Sequence, residues 1–141
     1  MENEKDWIKA GQIVAQVRDY AKTIIKDGSS LSEITELIEK KISSLGGKPA
    51  FPLDLSINDI AAHYSCLTNE KTIFRKNDIV KIDLGVHING AIADTASTIC
   101  VESSEYKELI EASEKALQEA IKILRPNLKV NEIGKVVNEF I

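Results

Sequence analysis

The strongest constraint on the fold is a hairpin signal in the stretch KIDLGVHINGAIADTASTI, residues 81–99. At its centre lies Asn89-Gly90, a dipeptide that favours a two-residue type I′ turn because both positions of that turn need a positive φ. Folding about this turn aligns the pairs Ile88–Ala91, His87–Ile92, Gly85–Asp94 and Asp83–Ala96. A four-residue loop would keep this register, whereas a three-residue loop would break it. The sequence therefore predicts two antiparallel strands with a defined register.

The side chains of the predicted hairpin divide between two faces, because they alternate along a strand and directly paired residues share a face. Asp83, Gly85 and His87 fall on one face, and Asp94 joins them beside Gly85. The opposite face is a predicted core made of Ile82, Leu84, Val86, Ile88, Ala93 and Ile99. Aspartate is among the residues that strands use least, so the two carboxylates in this hairpin need a separate explanation.

The carboxylates of Asp83 and Asp94 should lie close together, with Cβ atoms roughly 5–8 Å apart. Two bare carboxylates at this distance repel each other, and one would be forced to protonate. A divalent cation removes the repulsion, and a pair of metal ions about 3.5–4 Å apart would fit between the aspartates better than a single ion. The alternative is that both aspartates lie at a solvated rim, hydrogen-bonded to backbone or to Lys81. The hairpin by itself leaves both interpretations open.

The composition and charge of the whole chain limit its partners. Its 141 residues suffice for one domain, and the net charge of −4 with a pI near 5.3 comes without a stripe of Lys and Arg. This argues against nucleic acid or an anionic membrane as the main partner. No apolar run has the length of a membrane span, and MENEKDWIKA at the start lacks the apolar region of a signal peptide. Two cysteines, Cys66 and Cys100, without a CxxC motif indicate reduced thiols and predict a cytoplasmic protein.

The order of predicted elements is two helices, strands and two further helices, which is an α+β fold. Apolar residues at helical spacing and cap-like residues define the helices. The chain shows no linker, low-complexity tract or short repeat. The first predicted helix covers residues 5–26, and a capping box from Ser30 to Glu33 opens the second. A strand at 53–57 comes before the hairpin. After the hairpin, a third helix is capped by Ser103 or Ser104 and stopped by Pro126-Asn127, and a fourth helix begins at about Lys129.

Two motifs give the chain a family resemblance. FPLDLSINDIAAHY, residues 51–64, followed by VKIDLGVHINGAIADTA, residues 80–96, resembles the first half of a methionine aminopeptidase of the type 2 form seen in archaea and eukaryotes. The resemblance covers residues 5–141, and the segment before His63 is similar to type 2 rather than type 1 enzymes, prolidases or aminopeptidases P. It implies the pita-bread (creatinase/aminopeptidase-like) fold, in which two similar α/β halves enclose the site. This half would be an antiparallel sheet with helices packed on one face.

The resemblance also implies a function and a set of site residues. Asp83 matches the family's bidentate ligand of one metal ion, and Asp94 matches the bridging ligand. His63 matches the histidine that contacts the scissile peptide and stabilises the tetrahedral intermediate. Phe51 matches an aromatic wall of the pocket for the methionine side chain. The implied activity is hydrolytic release of initiator methionine from peptides and nascent proteins, with two divalent metal ions (Co, Mn, Fe, Zn or Ni) as cofactors.

Other polar residues are expected to have structural roles. His87 lies on the aspartate face and fits a third ligand by spacing. The family takes its ligand histidine from the other half, so a structural hydrogen bond is expected for His87. Asp54, Asp59 and Asp78 are expected to be solvated or capping residues.

The resemblance extends to half of the family's site. One histidine and two glutamates that bind metal, and a second histidine near the substrate, come from the family's C-terminal half. Residues 1–141 are therefore expected to form the N-terminal half of the catalytic domain, and a separate C-terminal half chain is a candidate partner. The alternatives are an inactive fragment and a non-catalytic pita-bread protein used for binding. The presence of both ligands from this half argues against the binding protein.

Overall fold

The computed structural model describes residues 4–141, which form an α+β arrangement as the sequence predicts. None of the helices in this part of the chain is long and apolar enough to cross a membrane. A first unit ends at Ser103, and a second unit comprises Ser104–Ile141. The elements are, in chain order, α1 Glu4–Ile24, α2 Leu31–Ser44, β1 Lys48–Pro49, β2 Asp54–Ile57, β3 Ile79–Ile88, β4 Ala91–Cys100, α3 Lys107–Ile123 and α4 Val130–Asn138.

Strand β3 is the centre of the sheet in the first unit. β4 pairs antiparallel along one edge of β3, and the short strands β1 and β2 pair antiparallel along the other edge, one after the other. The β3–β4 register contains all four predicted pairs, Gly85–Asp94 among them. The turn residues Asn89 and Gly90 have φ values of 50° and 89°. The predicted hairpin and its register are therefore confirmed.

The core of the first unit lies between the sheet and α1, which packs against both β3 and β4, while α2 packs against α1. Ala10, Val17 and Ala21 form a stripe on α1 that is completely inaccessible to solvent. The predicted core face of the hairpin belongs to the same cluster, with Ile82, Leu84, Val86 and Ile88 buried and Ala93 and Ile99 partly buried. Because side chains alternate along a strand, the aspartate face of the hairpin lies away from this core.

The start of α2 differs from its predicted capping. Ser30 is the N-cap residue, but its hydroxyl lies 2.8 Å from the Ser32 hydroxyl and makes no bond to the helix backbone. The Leu31 N–H donates instead to the Thr72 carbonyl at 3.0 Å. A neighbouring loop thus satisfies one donor of the first helical turn, and the predicted capping box is wrong.

The second unit is a helix–turn–helix in which α3 packs against α4. The prediction that Ser103 or Ser104 caps α3 is wrong, because the N-cap residue is Tyr106. The Lys107 N–H donates to the Ser104 carbonyl at 3.1 Å, so the chain makes a turn before the helix begins. The prediction for α4 is confirmed, since its N-cap residue is Lys129.

The helix–turn–helix of the second unit repeats the local backbone structure of α1 and α2. In each case a residue with positive φ follows the first helix, Gly28 at 83° and Asn127 at 65°. The second helix then begins after an N-cap residue with extended backbone, Ser30 in one unit and Lys129 in the other. The two interhelical connections thus share these backbone features although their residue types differ.

Candidate active site

One cavity of the first unit collects the residues that the resemblance assigns to a site. It has a volume of about 420 Å³ and is lined by Phe51, Pro52, Asp54, His63, Ser65, Asp83 and Asp94. Asp83 lies on the central strand, and Asp94 lies on β4 directly opposite Gly85, as the predicted register requires. The two carboxylates therefore meet on one side of the hairpin, next to the predicted aromatic wall and histidine.

The sheet edge that carries Phe51 bulges between β1 and β2. The last pair of β1 is Pro49–Val86 and the first pair of β2 is Asp54–Asp83, so four residues on this edge stand opposite two on β3. Extra residues in one strand leave the hydrogen-bonded ladder and bend the chain. Phe51 lies within this bulge, which allows its ring to turn over the face of the sheet.

The ring of Phe51 occupies the space above Gly85. The Ala50 N–H donates to the Gly85 carbonyl at 2.9 Å and holds the bulge against β3. A Cβ atom on residue 85 would lie 2.7 Å from Phe51 Cδ1, far inside van der Waals contact. Glycine is therefore needed at this position to make room for the aromatic ring beside the two aspartates.

Replacing Gly85 by alanine should destabilise the protein by about 1–3 kcal/mol, because the new methyl group must displace the Phe51 ring. Gly11→Ala is the matched control, since a Cβ atom there meets nothing within 4 Å. Within helix α1 that change should stabilise by up to ~1 kcal/mol. Urea unfolding of both variants measures the two effects. Unchanged stability of Gly85→Ala would contradict the observed packing of Phe51.

His63 lies in the loop between β2 and β3, and hydrogen bonds to β2 fix the backbone around it. The Leu55 N–H donates to the Tyr64 carbonyl at 2.9 Å, and the Tyr64 N–H donates to the Ser56 hydroxyl at 3.3 Å. His63 has a φ of 62°, which is uncommon for a residue other than glycine. Its side chain is 91% exposed. The backbone is thus held in place while the imidazole stays accessible to a ligand.

Glu70 stabilises the same loop further along the chain through side-chain hydrogen bonds. Its carboxylate accepts hydrogen bonds from the Tyr64 hydroxyl at 2.8 Å and from the hydroxyl and N–H of Thr72 at 2.7 and 3.0 Å. These hydrogen bonds, that of the Thr72 hydroxyl first, lower the pKa of Glu70 to about 2. Sequence reasoning missed this role, because nothing local indicates which donors the carboxylate meets.

The burial of Asp54 differs from the prediction. The expectation of a solvated or capping residue is wrong, since Asp54 is only 7% exposed. The cause is strand pairing, because β2 places Asp54 directly opposite Asp83. The Ser65 hydroxyl donates a hydrogen bond to Asp54 Oδ1 at 2.5 Å, and Oδ2 lies 3.8 Å from His63 Nδ1. A third carboxylate therefore belongs to the cavity.

The other two aspartates take the expected roles. Asp78 accepts hydrogen bonds from the Arg75 N–H at 2.7 Å and from the Asn58 side-chain amide at 2.9 Å, which is a capping role in a turn. Asp59 is exposed. Both predictions are confirmed, and neither residue lines the cavity.

The charges of the cavity favour a bound cation. Burial raises the pKa of Asp83, the neighbouring charges of Asp94 and Asp54 raise it further, and His63 acts in the opposite direction. Carboxylate oxygens suit divalent metal ions, so Asp83 and Asp94 fit such an ion chemically. Within residues 4–141 no group of three or more His, Cys, Asp or Glu side chains is placed to hold a metal ion. The two aspartates therefore fit part of a ligand set.

His87 and Lys81 have partners outside the cavity. The Gly90 N–H donates to His87 Nδ1 at 3.3 Å, so the expected structural hydrogen bond of His87 is confirmed. The Lys81 ammonium donates to the Asn58 carbonyl at 2.5 Å. Within residues 4–141 Lys81 makes no hydrogen bond to Asp83 or Asp94, so the alternative of a solvated rim gains no support from Lys81.

The sequence of this chain is similar to those of known metallopeptidases. The sequence profile described as "Metallopeptidase family M24" matches residues 6–141. A methionine aminopeptidase of Thermococcus onnurineus is 46% identical over 141 residues, covering 100% of this chain and 48% of the relative. That of Methanocaldococcus jannaschii is 46% identical, covering 95% of this chain and 45% of the relative, and that of Methanothermus fervidus is 39% identical, covering 94% and 77%. The chain spans about half the length of the first two of these curated relatives.

Solved structures show the same fold. The crystal structure of methionine aminopeptidase from Thermotoga maritima superposes with a TM-score of 0.85 at 27% identity, covering 94% of this chain and 56% of that chain. The prolidase from Pyrococcus furiosus superposes with a TM-score of 0.83 at 23% identity, covering 99% and 42%. The expected pita-bread architecture is thereby confirmed.

Proposed function

The chain belongs to metallopeptidase family M24, and on that basis we propose that it forms one half of a methionine aminopeptidase. The observation that carries the proposal is that Asp83, Asp94, His63 and Phe51 line one cavity in a chain whose curated relatives bear this name. The reaction would be hydrolytic removal of initiator methionine from peptides and nascent proteins. Its place would be the cytoplasm, where nascent chains emerge.

Asp83 and Asp94 are the residues that would hold the metal ions. Asp83 is partly buried on the central strand, and Asp94 is exposed on the neighbouring strand, so both offer oxygen ligands to the same cavity. Divalent ions bound there would polarise the scissile carbonyl and lower the pKa of water. A pair of carboxylates is compatible with Co, Mn, Fe, Zn or Ni and does not select among them.

His63 and Phe51 would act on the substrate itself. The His63 imidazole is exposed and lines the same cavity as the carboxylates. An N–H group there is suited to donate a hydrogen bond to the oxygen that gains negative charge in the transition state. The Phe51 ring, next to Pro52, supplies an apolar wall, and the sulfur of a methionine side chain makes favourable contacts with aromatic rings.

The remaining ligands are proposed to come from a segment that the relatives contain and residues 1–141 do not span. A catalytic metal site normally draws three or more protein ligands per ion, and the two proposed ligands of this chain are Asp83 and Asp94. Residues 1–141 would then be the N-terminal half of the pita-bread domain. The C-terminal half would be its partner and would lie on the same chain or on a separate one. Leu109, Val130 and Ile141 expose apolar surface that such a partner would cover.

A completed chain tests this proposal. It joins residues 1–141 to the part of the Thermococcus onnurineus relative that lies beyond the matched region. With Mn²⁺ or Co²⁺ we expect the completed chain to release methionine from Met-Ala-Ser, and residues 1–141 alone to release almost none, because two carboxylates leave an ion mostly solvated. Absence of cleavage by the completed chain, beside an active intact relative, would refute the proposal. Strong activity of residues 1–141 alone would show that the site lies elsewhere.

A further inference from the structure

Asp54 is a buried carboxylate in the cavity to which the proposed function gives no role. It lies on β2, and the pairing of β2 with β3 sets it directly across from Asp83. Both of its oxygens have neighbours, because Oδ1 accepts the Ser65 hydroxyl at 2.5 Å and Oδ2 lies 3.8 Å from His63 Nδ1. Asp54 therefore connects the rigid sheet to the exposed imidazole.

The burial of a charge at this position needs a cause. A carboxylate that loses water next to a second carboxylate is unfavourable unless hydrogen bonds, a cation or a basic group compensate. The bond from Ser65 does not require the charge, since an asparagine oxygen would accept it equally well. Among residues 4–141, the basic group within ion-pair distance of Asp54 is His63. The second oxygen of Asp54 therefore faces the imidazole.

A role as a metal ligand fits Asp54 less well. One oxygen is engaged by Ser65 and the other faces His63, so both are directed at protein groups. Among the described residues, no group of three or more His, Cys, Asp or Glu side chains surrounds one ion position, although Asp54 shares the cavity with Asp83 and Asp94.

We propose that Asp54 is a positioning residue for His63, an inference that rests on the proposed role of His63 toward substrate. An imidazole whose Nδ1–H faces a carboxylate is fixed in one tautomer and one orientation, which directs Nε2 away from that carboxylate. The separation of 3.8 Å is longer than a hydrogen bond. It is expected to shorten when substrate fills the cavity, as contacts in ligand-free catalytic sites do.

The exposure of His63 explains why a positioning residue is needed. With 91% of the side chain exposed, packing does little to fix its rotamer. Asp54 belongs to a strand that pairs with β3, and β3 carries Asp83. A contact with Asp54 therefore relates the imidazole to β2, the strand that pairs with the one carrying the proposed metal ligand Asp83.

Asp54→Asn in the completed chain tests the inference, because it removes the charge and keeps the size and the acceptor for Ser65. We expect kcat for Met-Ala-Ser to fall about 10- to 100-fold, with KM and bound metal per chain close to wild type. In a His63→Ala background the same substitution should change kcat by less than about 2-fold, because the residue to be positioned is gone. Asp59→Asn, an exposed aspartate outside the cavity, is the matched control and should behave as wild type.

Three results with Asp54→Asn would overturn the inference: a wild-type kcat, a loss of metal in proportion to the loss of rate, or an equal loss of rate with and without His63. If Asp54→Asn does not fold, Ser65→Ala replaces it, since it removes the donor that orients Asp54. An unchanged kcat, or a loss that persists in the His63→Ala background, would again overturn the inference. An inactive completed wild type refutes the proposed function and this inference together, whereas an active wild type beside an unaffected Asp54→Asn refutes this inference alone.

Discussion

Asp83→Ala in the completed chain should abolish metal-dependent cleavage of Met-Ala-Ser, with kcat/KM falling roughly 10³-fold or more. Asp83 lies on the central strand, between the strands that carry Asp54 and Asp94, so its loss removes the middle carboxylate of the cavity. A catalytic metal ion supplies several kcal/mol of transition-state stabilisation, and about 1.4 kcal/mol corresponds to a tenfold change in rate. Bound Mn²⁺ per chain, measured by atomic absorption after dialysis, should fall together with the rate.

Asp59→Ala is the control for this experiment, because it removes an exposed carboxylate that does not line the cavity. It should leave both rate and metal content unchanged. If the hairpin aspartates are merely solvated surface groups, Asp83→Ala will behave in the same way as Asp59→Ala. That outcome would contradict the metal site and with it the proposed function.

The hairpin that carries both aspartates could be predicted because its signals are local. Asn89-Gly90 sets the turn type, and the turn sets the register of the two strands. Alternation then assigns each side chain to a face, which is why the predicted place of Asp94 beside Gly85 agrees with the observed pairing. By the same reasoning, the apolar residues of the opposite face were predicted to form the core.

The third carboxylate could not be predicted in this way. Asp54 lies opposite Asp83 only because β2 pairs with β3 after the bulge at residues 50–53. No local dipeptide determines how many residues such a bulge contains, and a register shifted by one residue would move Asp54 to the other face. Without the register of β2, an aspartate is expected at the surface, because most aspartates lie there.

The helix starts show the same limit of local signals. Ser30 and Ser104 have the residue type of an N-cap, but the type does not say which backbone donor is still free. At α2 the Leu31 N–H bonds to the Thr72 carbonyl, a contact with a loop distant in sequence. At α3 the chain first makes a turn between Ser104 and Lys107. Periodicity predicted that these helices exist, and the residue type of Ser30 gave the correct start of α2 but not the partner of its first N–H, while the turn before α3 moved that helix start to Lys107.

His63→Ala in the completed chain should lower kcat about 10²- to 10³-fold and leave bound metal unchanged. This loss of rate is the size expected when one hydrogen-bond donor to the oxygen that gains negative charge in the transition state is removed. Because that interaction is made in the transition state, KM should change much less than kcat. The structure is consistent with a role apart from metal binding, since the imidazole is exposed and its ion-pair neighbour is Asp54. Steady-state kinetics and metal analysis on the same samples measure both quantities.

His87→Ala is the matched control, because His87 is the other histidine of this chain and lies on the same sheet face as Asp83. Its Nδ1 accepts the Gly90 N–H, and it does not line the cavity, so its removal should keep kcat within about 2-fold of wild type. A loss of metal equal to the loss of rate in His63→Ala would make His63 a ligand and refute its role toward substrate. Equal rates in His63→Ala and His87→Ala would show that the imidazole in the cavity does not act on the reacting peptide, and the proposed role of His63 toward substrate would have to be abandoned.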